Sequence, residues 1–139
     1  MLITVDTREP IKMVAKCKKV GMEVERKKLD VGDYACKEMG VGIERKEIND
    51  FCLSIMDNRL EKQINNMKKT YKHNYILVSG LTTKRYSKRF SENAILGKIA
   101  SIMIKDNVCI LILENDRQLV YMLGRIFYQH EEKFKLNKK

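Results

Sequence analysis

Residues 93–113 read N-A-I-L-G-K-I-A-S-I-M-I-K-D-N-V-C-I-L-I-L, and this stretch decides the fold class. Ala94, Ile95, Leu96, Ile99, Ala100 and Ile102 recur at helical spacing, which predicts an amphipathic helix over Asn93–Ile104. Cys109–Leu113 is an apolar run of strand length, rich in branched residues, and reads as a buried strand. Upstream, Tyr75–Val78 is a second strand of the same kind, and downstream a helix is expected from about Arg117. A strand-helix-strand-helix ending argues for a parallel element, and so for an α/β domain with a mixed central sheet flanked by helices.

The first half supplies the rest of that sheet. Leu2–Asp6 is a short β-branched run, and Pro10 sits where the first turn of a helix tolerates it, opening a helix to about Lys19 that Gly21 ends. Glu23–Leu29, Tyr34–Lys37 and Val41–Lys46 then alternate with turns at Asp30–Asp33 and through Gly40. Tight turns between strands predict antiparallel neighbours. From Ile48 the period becomes helical, with Phe51, Ile55, Leu60, Ile64 and Met67, and a break around Asp57–Asn58 predicts two short helices.

A chain of 139 residues with 44% hydrophobic content buries one core, and its one proline and seven glycines mark no linker. A single domain over residues 1–132 is expected, followed by a charged, frayed tail at 133–139. The formal charge is +10, and residues 61–90 hold eight cations (Lys62, Lys68, Lys69, Lys72, Lys84, Arg85, Lys88, Arg89) against Glu61. A polyanionic partner and a solvated lysine-rich surface both account for this. Cys17, Cys36, Cys52 and Cys109 form no C-x-x-C pair, which argues against a zinc site and for reduced thiols. The apolar runs are too short to span a bilayer and the first residues do not read as a secretory signal. An intracellular protein with no membrane partner is expected, cytoplasmic or nucleoid-associated, or nuclear in a eukaryote.

Acidic residues gather near predicted strand ends: Asp6 and Glu9, Asp33, and Glu44 with Lys46. Residues two apart on a strand face the same way, so Glu44 and Lys46 project together while Arg45 points to the other face. If the Asp33 turn lies against the Glu44 strand, the two carboxylates can share a hard cation, completed by waters and a substrate phosphate. Such an ion can activate water and neutralise phosphoryl charge, with Lys46 orienting or deprotonating the water or stabilising the transition state. Each piece also has a plainer reading. Asp33 is equally a turn residue; Asp6, Thr7 and Pro10 are equally a helix-capping arrangement, with Glu9 near the positive end of the helix dipole.

The joint pattern V-D-T-R-E (5–9), L-D-V-G-D-Y (29–34) and I-E-R-K-E-I-N-D (43–50) resembles the XPF family signature, G-D followed by E-R-K-x-x-x-D. S-I-M-D-N-R-L-E-K-Q (54–63) is similar to that family's helix ending in glutamine, and N-A-I-L-G-K-I-A-S-I (93–102) to its later small-and-apolar helix. The resemblance implies a restriction-endonuclease-like fold and a Mg²⁺- or Mn²⁺-dependent endonuclease that cuts branched DNA (3′ flaps and forks) near the junction. Asp6, Asp33 and Glu44 would then contact the metal, with Lys46 beside it and Arg45 holding the site or the substrate phosphate. Arg8 and Glu9 would lie at the edge, Asp50 would support the site or cap its helix, and Arg59 and Gln63 would stand nearby.

The resemblance further implies a homodimer through the helices at 93–104 and 118–129, where Ala94, Gly97, Ala100 and Ser101 permit close approach, although a core-facing helix explains the same small residues. The loop bearing Lys84, Arg85, Lys88 and Arg89, interleaved with Tyr86 and Phe90, is a candidate DNA contact or a solvated loop. Typical family members add a tandem helix-hairpin-helix domain and many a helicase-like domain. The 139 residues hold neither, so an excised domain or a partner protein supplying DNA grip is expected. The alternative reading is a non-catalytic DNA-binding or dimerisation module; its hallmark, loss of the acids or the lysine, is not seen here.

Overall fold

The computed structural model of the chain describes residues 1–80 and 91–137. The elements run β1 (Ile3–Val5), α1 (Ile11–Lys19), β2 (Val24–Arg26), β3 (Tyr34–Cys36), β4 (Val41–Glu47), α2 (Ile48–Met56), α3 (Arg59–Thr70), β5 (His73–Ser79), α4 (Glu92–Lys105), β6 (Cys109–Leu113) and α5 (Asp116–Asn137). The six strands form one mixed sheet in the order β2-β1-β3-β4-β5-β6. The basic segment with Lys84, Arg85, Lys88 and Arg89 lies outside the described residues.

The second half folds as its pattern predicts. β4, β5 and β6 are parallel neighbours, with Glu44 opposite Ile76 and Ile76 opposite Ile110. Strand pairing differs from expectation at one place in the first half. β3 and β4 are antiparallel, as a short turn requires. β2 does not pair with β3; it lies parallel to β1, and β1 is antiparallel to β3 on its other side. The helix α1 is a crossover, returning the chain so that β2 enters in the direction of β1, and the Asp30–Asp33 turn then carries it across β1.

The predicted break between two helices is real. Asn58 takes the left-handed conformation (φ 62°), which asparagine tolerates, and separates α2 from α3. Ser91 caps α4 by accepting the Ala94 amide at 3.1 Å. Where a charged tail is expected, α5 continues through Asn137, so residues 133–137 are helical. Glu131 anchors this end, pairing with the Met1 ammonium at 3.1 Å and with Lys135 one turn on at 3.6 Å.

Alternation along the strands divides the core. Ile43 and Leu77 face one side and pack with Met13, Leu123 and Phe127 of α1 and α5. Ile76 and Val78 face the other and pack with Phe51, Ile64 and Ile102 of α2, α3 and α4. Among the described residues no helix is long and apolar enough to cross a membrane. Phe127 is fully buried, so Phe127→Ala should lower unfolding free energy by about 3–5 kcal/mol in a urea titration.

Candidate active site

At the C-terminal end of β4 the alternation acquires chemistry. Arg45 turns toward α1, where its Nε and Nη2 donate to Glu9 at 2.7 and 3.2 Å. Tyr34 donates its hydroxyl to the same carboxylate at 2.5 Å. Glu9 is buried in this network and is not at the edge of the cleft, and the Arg45 guanidinium lies on the opposite face from Glu44, where it holds Glu9. Arg45 serves the acidic side through its backbone: its amide donates to Asp33 Oδ2 at 2.8 Å.

Glu44 and Lys46 share the other face. A cleft of about 300 Å³ opens there, lined by Asp33 and Glu44, by Arg8, by the Asp30–Gly32 turn, and by Gln63, Asn66 and Met67 from α3. The sequence spacing that suggested a shared ion therefore brings Asp33 and Glu44 to one cavity. Burial pushes the Asp33 carboxyl up to about 6, against the pull of the Arg45 amide, with the Glu9 and Asp6 charges adding to the rise. Burial and then the Asp33 charge push Glu44 up to about 8, against the pull of Lys46. Two partly buried acids are thus held where neither ionises freely.

Asp6 behaves differently. It is fully buried, its Oδ1 accepts the Leu29 amide at 2.9 Å and its Oδ2 accepts Arg8 Nε at 2.6 Å. Burial raises its pKa, but the Leu29 amide and Arg8 outweigh burial and hold it below the usual value. Its side chain does not cap α1, whose N-cap is Pro10 without a side-chain cap. Among the described residues no three His, Cys, Asp or Glu side chains are grouped to hold a metal ion. Arg8 and the Leu29 amide already engage both Asp6 carboxylate oxygens.

Lys46 is buried and its Nζ donates to Asp50 at 3.3 Å; Asp50 also receives Arg59 at 3.4 Å. Asp50 therefore tethers the lysine and does not cap α2. That cap is Glu47, which accepts the Asn49 and Asp50 amides at 2.9 and 3.4 Å. Arg59 is half-exposed beside this group and paired with Asp57, away from the cleft lining. Gln63 does line the cleft, and its Oε1 is buried with no hydrogen-bond partner among the described residues. Sequence reading missed Asn66, although three residues after Gln63 on a helix is the same face.

The two raised acids carry a pH signature. An acid whose pKa is higher folded than unfolded is more protonated in the native state, so its contribution falls as pH rises between the two values. For Glu44 that window runs from about 4.5 to about 8. In metal-free buffer the stability advantage of Glu44→Gln over wild type should grow as pH is raised from 5 to 8, read from urea midpoints; a constant difference would contradict the buried acid pair.

Comparison with known proteins converges on the same architecture. Residues 5–126 match the ERCC4 domain family. A putative ATP-dependent RNA helicase of Methanocaldococcus jannaschii is 36% identical over 133 residues, covering 96% of this chain and 16% of that protein. XPF from Aeropyrum pernix superposes with a TM-score of 0.80 at 23% identity, over 97% of this chain and 69% of that one. XPF from the same organism in complex with DNA gives a TM-score of 0.78 at 24% identity, over 92% and 65%. With the family match spanning most of the sheet and both walls of the cleft, the chain belongs to the ERCC4 domain family, and its fold is that of the XPF structures.

Proposed function

We propose that this domain is a divalent-cation-dependent endonuclease that hydrolyses a phosphodiester bond in branched DNA, 3′ flaps or forks, near the single/double-strand junction. The observation that carries this reading is the pairing of Asp33 and Glu44 at one cleft with both carboxyls raised. A buried acid pair of this kind is relieved by a small cation. Mg²⁺ is bound by one or two carboxylates together with waters and substrate phosphates, so Asp33 and Glu44 suffice to hold it, with Asp6 proposed beside them. The orphaned Gln63 Oε1 adds a neutral oxygen to the same cavity, so the donor set fits Mg²⁺ or Mn²⁺.

When bound, such an ion supplies an activated water and neutralises charge on the phosphorus oxygens. The chain's own groups do the rest. Lys46 stands on the Glu44 face, and its ion pair with Asp50 suits it to stabilising negative charge at phosphorus. Arg8 lines the cleft with its side chain 70% exposed, ready to meet a backbone phosphate at the mouth. Water's oxygen bonds to phosphorus as the P–O3′ bond breaks, leaving a 5′-phosphate and a 3′-hydroxyl. Lys84, Arg85, Lys88 and Arg89 are proposed to grip the DNA backbone, their charge being the support.

Asp33→Ala and Glu44→Ala should each abolish Mg²⁺-dependent incision of an end-labelled fork without lowering unfolding midpoints. Persistent cutting by both would remove these residues from the mechanism. Tight, salt-sensitive binding without cutting by wild type would favour the non-catalytic module. A partner protein supplying further DNA grip is proposed alongside. A DNA substrate fits an intracellular setting.

The domain is also proposed to form a homodimer through α4 and α5. Leu96, Met103 and Ile104 on α4 are 48%, 41% and 84% exposed, and Tyr121 and Tyr128 on α5 are 61% and 44% exposed. That much apolar surface on two helices is the kind an interface covers. Ile104→Glu should halve the mass measured by light scattering; an unchanged mass argues against α4 as the interface.

A further inference from the structure

The cleft has two walls that are far apart in sequence. One is the Asp30–Asp33 turn with β4, which carries the carboxylates; the other is the α3 face with Gln63, Asn66 and Met67. Tyr71 holds both. It follows α3 directly, and its amide donates to the Met67 carbonyl at 2.8 Å. Its hydroxyl reaches across to donate to the Val31 carbonyl at 2.7 Å, two residues before Asp33. Its ring packs against β4 at Gly42, where an added Cβ would meet ring carbons at 2.1, 2.5 and 2.6 Å.

Gly42 is two residues before Glu44 and so faces the same side of β4. The tyrosine ring takes the space a side chain at 42 would fill, immediately next to Glu44. Tyr71 is 5% exposed and packs with Leu29 and Ala35 in a small cluster separate from the two main cores. Gly32, with φ of +82°, would bring a Cβ to 3.5 Å from the same ring. A phenylalanine would fill this volume equally well. What the hydroxyl adds is the tether to the turn that carries Asp33.

We propose that Tyr71 is a positioning residue that sets the spacing between the carboxylate wall and Gln63 and so fits the cleft to a small, octahedral cation. This rests on the reading of the cleft as a cation site. Mg²⁺ demands near-ideal geometry at short distances, whereas Ca²⁺ accepts longer and more variable ones. Releasing the Asp33 turn therefore penalises Mg²⁺ more than Ca²⁺. Loss of a group that orients metal ligands typically costs on the order of 10-fold or more in affinity.

The test is calorimetric titration of Mg²⁺ and of Ca²⁺ into the full chain without DNA, for wild type, Tyr71→Phe and Asp33→Asn, with unfolding midpoints for each. Tyr71→Phe should lose about 10-fold in Mg²⁺ affinity with Ca²⁺ affinity changed about 2-fold or less, and should unfold near the wild-type midpoint. Equal affinities in wild type and Tyr71→Phe overturn the proposal. So does a parallel loss for both cations with a lowered midpoint, which marks a packing role alone. Asp33→Asn separates the two ideas: if it binds Mg²⁺ as wild type does, the cation reading of the cleft fails, whatever Tyr71→Phe shows.

Discussion

A strand in the middle of a sheet can bury charge only where each charged group finds a partner. β4 has neighbours on both edges and helices over both faces, yet carries Glu44, Arg45, Lys46 and Glu47 in succession. Alternation deals these charges to opposite sides. On one side Arg45 is matched by Glu9 and Tyr34, and that network ties β4 to the segment between β1 and α1. On the other side Lys46 is matched by Asp50, while Glu44 is left facing another acid. The ion pair on one face fixes the strand so that an unfavourable pairing on the other can persist.

That unfavourable pairing is what makes the cleft a site and not merely a cavity. Lys46 and then Arg8 relieve it on Glu44, and Arg45 relieves it on Asp33; the Arg8 guanidinium is bound to Asp6 and feels the charges of both Asp33 and Glu44. Asp6 acts on the pair in two ways, by its own charge on Asp33 and by holding an arginine at the mouth. Asp33 is held from two directions, its carbonyl accepting the Asp6 amide and its carboxylate accepting the Arg45 amide. Neighbouring strands therefore define the acid's position, not the turn alone.

Much of this was legible in the sequence, and the reasons differ by residue. The parallel half was readable because buried strands and an amphipathic helix have distinct periods. Glu44, Lys46 and the opposing direction of Arg45 followed from period two alone. What was not legible depends on pairing across the sheet. Nothing local says that β2 crosses over to lie beside β1, and without that the Leu29 amide that engages Asp6 cannot be located. Glu9 looked like a dipole-side acid because its partner, Arg45, is 36 residues away. Asp50 looked like a cap because the residue that does cap, Glu47, is also the last residue of a strand.

That double duty of Glu47 leaves no loop between β4 and α2. Strand and helix share a hinge of zero length, so the direction of Lys46 dictates the rotational phase of Asp50. Adding or deleting one residue between Glu44 and Asp50 would turn α2 by about 100° relative to the strand and swing the lysine's partner out of reach. Side chains in this segment can drift in evolution or in the laboratory so long as their chemistry is kept, but its length is locked.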